Sequence, residues 1–183
     1  MTTSSRRSSA MRAPALRELR AADRAPLAAL LRATAAFTEE EVGVALELID
    51  VELARTQARP DDYRFFVAEA ESAGTPAVLT VAGYVCYGRA SMSDGVYDVY
   101  WIAVEPRAQG LGIGRRLLRA VEEDVARRGG RTILIETGGK ESYAPTRRFY
   151  ESAGYAEIAR IPDFFRVGDD RVTYARRVTG SRP

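Results

Sequence analysis

Histidine is absent from the 183-residue chain, and cysteine occurs once, at Cys86. Without histidine, neither a serine–histidine nor a cysteine–histidine catalytic pair can form, and the usual histidine-containing metal sites are excluded, so no metal is expected. A single cysteine cannot form an internal disulfide, which favours a reducing, cytoplasmic compartment. That cysteine lies among apolar strand residues, a setting typical of an inert core thiol. Acid–base chemistry is therefore expected from aspartate, glutamate, tyrosine or the thiol.

Long apolar runs and a strong net charge are also missing. No segment approaches the roughly 18 apolar residues of a membrane span, and the formal net charge is only +2. The basic residues are nearly all arginine, with Lys140 the only lysine, and they are spread along the chain. Neither a membrane nor a nucleic acid is therefore expected as a partner.

The amino-terminal segment differs in composition from the rest of the chain. Residues 1–13 are rich in serine and arginine and lack the apolar stretch of a secretory signal, so they are interpreted as a disordered tail. Residues 14–183 contain neither an internal repeat nor a linker, and they are expected to form one domain. The oligomeric state, a homodimer included, is left open by the sequence.

Hydrophobic periodicity and turn residues predict a mixed α/β domain. Thr38 followed by Glu41 is a capping-box start for one of its helices. Strands alternate with helices only in the second half, which favours a mixed sheet over a fully parallel one. The predicted elements are a strand at Ala15–Arg20, helices over Asp23–Ala35 and from Thr38, a hairpin of Phe65–Glu71 and Ala77–Arg89, a strand at Val96–Val104, a helix over Gly112–Arg128, a strand at Thr132–Thr137, a helix over Ala144–Ala153, and strands at Tyr155–Ile161 and Arg171–Val178.

A glycine-rich turn joins the Val96–Val104 strand directly to the next helix. The start of a helix leaves about four unpaired N–H groups and carries about half a positive charge. Glycines at alternate positions let the backbone approach an anion closely. Two arginines follow them and add positive charge. These residues are Gly110, Gly112, Gly114, Arg115 and Arg116. The turn is therefore predicted to bind a phosphate or diphosphate.

Two better-known phosphate loops do not fit this turn. A dinucleotide fingerprint starting at Gly110 would need its third glycine where Arg115 stands. A P-loop needs Gly-Lys-Ser/Thr, and that tripeptide does not occur in the chain. The alternative is a helix start that is glycine-rich without a ligand, in which the glycines would weaken the helix for no return.

With a second motif downstream, the turn resembles the GNAT superfamily of acyl-CoA N-acyltransferases. Val104–Gly114 matches the Q/R-x-x-G-x-G/A motif of that family, and Phe149–Tyr155 matches its F-Y-x-x-x-G-F/Y motif. The resemblance extends over nearly everything from Ala15 to Val178. It implies a largely antiparallel central sheet of about six or seven strands, flanked by about four helices and splayed at a central parallel strand pair.

The same resemblance implies a site for acetyl-CoA. The pantetheine arm would pair with main-chain groups of Ile102 and Val104. The residues implied for the pyrophosphate are Gln109, Gly110, Gly112, Ile113 and Gly114, through their backbone amides, and Arg115. Many members carry an asparagine at the position of Tyr143, where it contacts the pantetheine, so that contact is left to Thr146 or Tyr143.

The resemblance also implies the catalytic residues. Tyr150 is placed to protonate the departing sulfur, and its alternative role is that of a tyrosine packed on the core. Glu136 stands where some members carry a general base, and its alternative role is that of an ion-paired strand carboxylate. Asp98 is the rival base, and relayed water is a third route. Strict alternation would put Asp98, Tyr100 and Ile102 on one face of their strand.

The acceptor is left open by the sequence. The segment Pro162–Asp170 is predicted to be a polar loop, and the resemblance implies that it borders the acceptor site. Its three aspartates could attract a cationic amine or belong to a solvated turn, and two upstream arginines could select a carboxylate. These residues are Asp163, Asp169, Asp170, Arg147 and Arg148. The leading hypothesis is an acetyl-CoA-dependent N-acetyltransferase acting on a primary amine of a small molecule or protein. An acyl-CoA-binding regulatory or sensor module and a plain phosphate-ligand binder are the alternatives.

Overall fold

The computed structural model describes residues 14–57, 63–71 and 79–178. The predicted tail at 1–13 and the predicted turn at 72–75 lie outside these residues. The helices and strands are β1 (Ala15–Arg17), α1 (Arg24–Ala33), α2 (Glu39–Ala54), β2 (Arg64–Glu71), β3 (Leu79–Arg89), β4 (Val96–Val104), α3 (Ile113–Arg127), β5 (Thr132–Gly138), α4 (Ala144–Ser152), β6 (Ala156–Arg166) and β7 (Asp169–Arg177). None of the described helices is long and apolar enough to cross a membrane.

The strands form one seven-stranded sheet in the order β1-β2-β3-β4-β5-β7-β6. Among the described strands, β4 and β5 are the one parallel pair, and the other neighbours are antiparallel. The crossover helix α3 connects β4 to β5. One hydrophobic core lies between the sheet and the α3–α4 side, and a second lies under α1 and α2. The predicted mixed sheet with a central parallel pair is confirmed.

Local hydrogen bonds set the start of α2 and the end of β1. Thr38 Oγ1 accepts a hydrogen bond from the Glu41 amide at 3.2 Å, and the Glu41 carboxylate accepts one from the Thr38 amide at 2.7 Å. This is the predicted capping box. The first strand is shorter than predicted, because the Asp23 carboxylate accepts the Arg20 amide at 2.8 Å and turns the chain away from β2.

A bulge in β4 overturns the predicted alternation of its side chains. Cys86 of β3 faces Trp101, whereas the next residue, Tyr87, faces Val99, so Tyr100 is an extra residue in β4. The prediction that Ile102 shares a face with Asp98 and Tyr100 is therefore wrong. On the α3 side lie Tyr97, Val99, Ile102 and Val104, and against the α1–α2 core lie Trp101 and Ala103.

The carboxyl-terminal hairpin also differs from the prediction. The predicted loop over Pro162–Asp170 is mostly strand, because β6 continues to Arg166 and β7 begins at Asp169. The strand pairing jumps from Ile161–Arg171 to Arg166–Asp169, so residues 162–165 bulge from β6. The polar residues that suggested a loop instead stabilise this bulge, since the Asp163 amide donates to the Asp170 carboxylate at 3.1 Å.

The parallel strands separate at their carboxyl ends. Within the described residues, β4 and β5 pair only over Val96–Val99 and Thr132–Ile135, although both strands continue further. The predicted splay is confirmed, and it leaves an opening through the sheet beyond Val99. The loop from β4 to α3 and the start of α4 both border the cavity at this opening.

Candidate active site

The turn between β4 and α3 presents a row of unpaired amides. Gly110 and Gly112 both have a φ of 78°, in the left-handed region, and Gly112 is the residue immediately before α3. In the described part of the chain, the backbone amides from Gly110 to Arg115 donate to no acceptor. The first amide bonded back to the turn is that of Arg116, which donates to the Gly112 carbonyl at 3.0 Å. This arrangement has the geometry of a nest of backbone amides at a helix start, which suits an anion.

Gln109 has a different role from the other predicted pyrophosphate ligands. Its amide donates to the Pro106 carbonyl at 3.3 Å, and its side-chain Nε2 donates to the Val104 carbonyl at 3.5 Å. Both groups hold the turn against the end of β4. Gln109 therefore shapes the nest, while the free amides begin one residue later.

The three glycines of the turn serve two purposes. A Cβ at Gly110 or Gly112 would meet nothing within 4 Å, so these glycines are needed for their positive φ. A Cβ at Gly114 would lie 3.0 Å from Cζ of Phe149. Gly114 therefore admits the Phe149 ring of α4 beside α3, a packing role that the sequence pattern alone does not reveal.

A cleft of about 550 Å³ opens at this turn. Every residue predicted to bind the cofactor lines it, and so does Tyr150. The predicted lining residues are Ile102, Val104, Gln109, Gly110, Gly112, Ile113, Gly114, Arg115 and Thr146. Ala103, Ala108, Pro145 and Phe149 also line the cleft but were not predicted. Phe149 is the first residue of the second sequence motif, and that position could have indicated that it lines the cleft.

Two flanking side chains are tied to neighbouring elements. The Arg115 guanidinium donates to the Ser152 carbonyl at 3.2 Å and to its hydroxyl at 3.3 Å, at the end of α4. The Tyr143 hydroxyl donates to the Ala36 carbonyl at 3.0 Å. Tyr143 is not among the residues that line the cleft, whereas Thr146 is. Of the two candidates for the pantetheine contact, the geometry favours Thr146.

Tyr150 of α4 is buried in the core, and it also lines the cleft. It packs against Phe149, Tyr155 and Tyr174, with ring centroids 5.4 to 6.4 Å apart. Burial raises the pKa of Tyr150 well above its usual value, with smaller contributions from Tyr143 and Tyr174. The hydroxyl therefore keeps its proton at neutral pH, and within the described residues it makes no hydrogen bond.

Glu136 lies on the opposite face of the sheet from Tyr150. Its neighbour Ile135 packs in the same core as Tyr150, so alternation along β5 turns Glu136 the other way. The side chain is 49% exposed, and its carboxylate lies 3.5 Å from Nε of Arg171 on β7. The structure thus places Glu136 at the sheet opening but outside the cleft, with a cationic partner.

Asp98 is a half-buried carboxylate on the same side as Glu136. It precedes Val99, which packs in the α3 core, so Asp98 points to the α1–α2 face. Burial raises the pKa of Asp98, and the negative charge of Glu136 raises it further. Across the described ranges, the Asp98 carboxylate has neither a hydrogen bond nor an ion pair, so its charge is uncompensated.

Most of the residues that could contact an acceptor have partners within the protein. Lys140 forms an ion pair with buried Asp169 at 3.2 Å, and Arg160 forms one with Asp170 at 3.2 Å. The Asp163 carboxylate accepts the Gly168 amide at 2.6 Å. Arg147 donates to two carbonyls before α4, each at 2.9 Å, while Arg148 is exposed. These aspartates stabilise the hairpin and do not form an open acidic patch. Cys86 is buried, as predicted.

Comparison with known proteins agrees with this geometry. The family profile described as acetyltransferase (GNAT) domain matches residues 61–157. N-alpha-acetyltransferase RimI of Mycobacterium tuberculosis is 35% identical over 99 residues, which are 53% of this chain. The chain spans about 60% of the length of that curated relative.

Solved structures give the same result. A GNAT-family protein from Desulfovibrio desulfuricans superposes with a TM-score of 0.81 and 41% identity, covering 91% of this chain and 100% of that one. A Salmonella typhimurium protein solved with its cofactor acetyl-CoA has the same fold, with a TM-score of 0.65 and 19% identity over 93% of this chain and 96% of its own. Fold, cleft and family profile agree, and this chain belongs to the GNAT superfamily of acetyltransferases.

Proposed function

We propose that this protein is an acetyl-CoA-dependent N-acetyltransferase that moves the acetyl group directly from the thioester to a primary amine. The observation that carries the proposal is the opening between β4 and β5, which has unpaired amides and the Tyr150 hydroxyl on one side and two carboxylates on the other. The free amides from Gly110 to Arg115 fit a pyrophosphate, because they are unpaired donors at a helix start.

The cofactor and the amine bind on opposite faces of the sheet. Acetyl-CoA supplies the acyl group when bound in the cleft, where the β4 edge beyond Val99 offers main-chain groups to the pantetheine arm. The Tyr150 hydroxyl lies on this side and donates its proton where the thiolate develops. An ammonium approaching from the other face loses its proton to Asp98 or Glu136, directly or through water. Its nitrogen then attacks the acyl carbon and the carbon–sulfur bond breaks. The proton that the nitrogen loses as the amide forms returns through water to the Tyr150 hydroxyl.

Acetyl transfer to an amine tests this function. Purified protein, acetyl-CoA and a panel of primary amines should release free thiol in step with amine consumption, and mass spectrometry should show each product about 42 Da heavier, the mass of one added acetyl group. The control is the same mixture without amine, which reports thioester hydrolysis. Tight acetyl-CoA binding without transfer to any amine would instead favour an acyl-CoA-binding sensor module.

The pH dependence should respond to Glu136. Asp98 must be ionised to receive the ammonium, and its pKa is raised by burial and by the charge of Glu136. Glu136→Gln removes a negative neighbour and releases Arg171, and both changes lower the pKa of Asp98. The acidic limb of kcat/KM for the amine should therefore move to lower pH, and Asp98→Asn should abolish that limb.

The matched control for this shift is Glu123→Gln, which makes the same charge change on the exposed side of α3. Tyr100 also lies near Asp98, and burial raises its pKa to about 12, so it keeps its proton across the acidic range. An acidic limb at the same pH in the Glu136→Gln and Glu123→Gln variants would show that Asp98 is not the titrating group.

A further inference from the structure

A second cavity of about 560 Å³ lies between the end of α2 and the turn from β3 to β4. Among the described residues, it shares no lining residue with the cofactor cleft. Tyr100 forms part of its wall, and Asp98 lies two residues earlier on the same strand. The cavity therefore adjoins the carboxylate side of the sheet opening, where an acceptor must approach.

The wall of this cavity is aromatic. The rings of Tyr63 and Tyr100 meet edge to face, with centroids 5.2 Å apart and planes at 83°. Tyr100 lines this cavity, and the residue remains 39% exposed. Burial and the charge of Asp98 raise the pKa of Tyr100 to about 12, so the phenol stays neutral. Val51 and Met92 extend the apolar surface.

The carboxylates near the cavity leave one negative charge for the acceptor. Glu52, which lines the cavity, is paired with Arg55, and Glu136 lies 3.5 Å from Arg171. The Asp98 side chain is the carboxylate of this group that lacks a cation among the described residues. One ammonium is therefore matched by Asp98, whereas a second would find no unpaired carboxylate in this group, and burying an unpaired charge is unfavourable.

We propose that the acceptor is a monocationic primary amine that carries an aromatic group. Its ammonium binds Asp98, and its ring packs against Tyr63 and Tyr100 in the cavity. This inference rests on the proposed N-acetyltransferase function. In the transfer the ammonium gives up one proton to Asp98 or Glu136, directly or through water, its nitrogen forms the amide bond, and the carbon–sulfur bond breaks. The thiolate that leaves takes the Tyr150 proton, and the second proton lost by the nitrogen returns through water to the Tyr150 hydroxyl.

A comparison of kcat/KM for five amines tests the proposed acceptor class. The probes are 2-phenylethylamine, n-butylamine, spermidine, L-phenylalanine and trialanine, each assayed for kcat/KM at saturating acetyl-CoA. We expect 2-phenylethylamine to exceed n-butylamine by about tenfold or more, since ring contacts and buried apolar area favour the aromatic amine. The kcat/KM values for spermidine, L-phenylalanine and trialanine are expected to fall below that for 2-phenylethylamine. Spermidine and trialanine lack the ring, and the carboxylate of L-phenylalanine leaves it without a net positive charge.

Two variants of Tyr63 test whether the aromatic ring of the acceptor packs in the cavity. Tyr63→Ala should remove most of the preference for 2-phenylethylamine over n-butylamine, whereas Tyr63→Phe keeps the ring and should retain it. The KM for acetyl-CoA should stay unchanged in both variants. If Tyr63→Ala does not fold, Asp98→Asn supplies the second test. It should raise the KM for 2-phenylethylamine and also raise the melting temperature, because it removes an uncompensated, half-buried carboxylate.

Two kinds of result would overturn this inference, and they are distinguishable. A higher kcat/KM for spermidine, L-phenylalanine or trialanine, or an equal loss for all amines in Tyr63→Ala, would refute the aromatic monocation while leaving amine acetylation in place. Retained acetyl-CoA binding without transfer to any of the five amines or to the wider panel would overturn the proposed function and this inference with it.

Discussion

The Gly112→Glu variant should lose coenzyme A binding, with the Kd for acetyl-CoA rising by about two orders of magnitude or more. Gly112 directly precedes α3, and the amides around it have no acceptor among the described residues. A carboxylate there would place a negative charge in the nest that is proposed to hold the pyrophosphate. A Cβ at this position meets nothing within 4 Å, so the effect does not come from a steric clash. Isothermal titration calorimetry with acetyl-CoA measures it.

Gly129→Glu is the matched control for backbone strain. Gly129 has a φ of 74°, a Cβ there would also meet nothing within 4 Å, and it follows the opposite end of α3. Both substitutions force a non-glycine residue into the left-handed region, which should cost each about 1–2 kcal/mol of unfolding free energy in urea titrations. Only Gly112→Glu should lose ligand affinity. Unchanged acetyl-CoA affinity in folded Gly112→Glu protein would show that the anion site lies elsewhere.

The elements that can be predicted well from the sequence are those with local signals. Thr38 and Glu41 define a capping box within four residues, and Gly110 and Gly112 define a turn that needs positive φ. The strand predicted at Val96–Val104 has the observed bounds. In each case the residues that determine the structure are neighbours in the chain, so the pattern contains the physical cause.

The β4 bulge could not be predicted in this way. Whether Tyr100 is an extra residue depends on how β4 pairs with β3, around Cys86 and Tyr87, more than ten residues earlier. The consequence is large, because one unpaired residue puts Ile102 on the cofactor side and leaves Tyr100 on the acceptor side. Ile102 therefore lines the cleft proposed for acetyl-CoA, whereas Tyr100 lines the second cavity.

The environment of the carboxylates is also a long-range property. Glu136 and Arg171 meet because β5 and β7 are neighbours in the sheet, although 35 positions separate them in the chain (171 − 136). The sequence offers both a general base and an ion-paired strand carboxylate for Glu136, and the ion pair is present. Asp98 is only the rival base on sequence grounds, yet it is the carboxylate without a partner in the described part of the chain. Pairing between distant strands decides which of the two is compensated.

The Tyr150→Phe variant should lower kcat by about two to three orders of magnitude while leaving the KM for acetyl-CoA nearly unchanged. The hydroxyl is proposed to protonate the departing thiolate, and phenylalanine keeps the ring that packs against Phe149 and Tyr174. Because the hydroxyl makes no hydrogen bond with the described residues, its removal should change the unfolding free energy by no more than about 0.5 kcal/mol. Steady-state thiol release and urea denaturation measure the two effects.

Tyr174→Phe separates this catalytic effect from the loss of any core hydroxyl. Tyr174 packs beside Tyr150, but its hydroxyl donates to the Glu151 carboxylate at 3.0 Å. Tyr174→Phe should therefore cost about 1 kcal/mol of stability and leave kcat within about threefold of the parent protein. The two variants should thus show opposite patterns, one losing rate without stability and the other losing stability without rate. Equal kcat values in the two variants would show that Tyr150 only packs in the core. The thiolate would then have to take its proton from water.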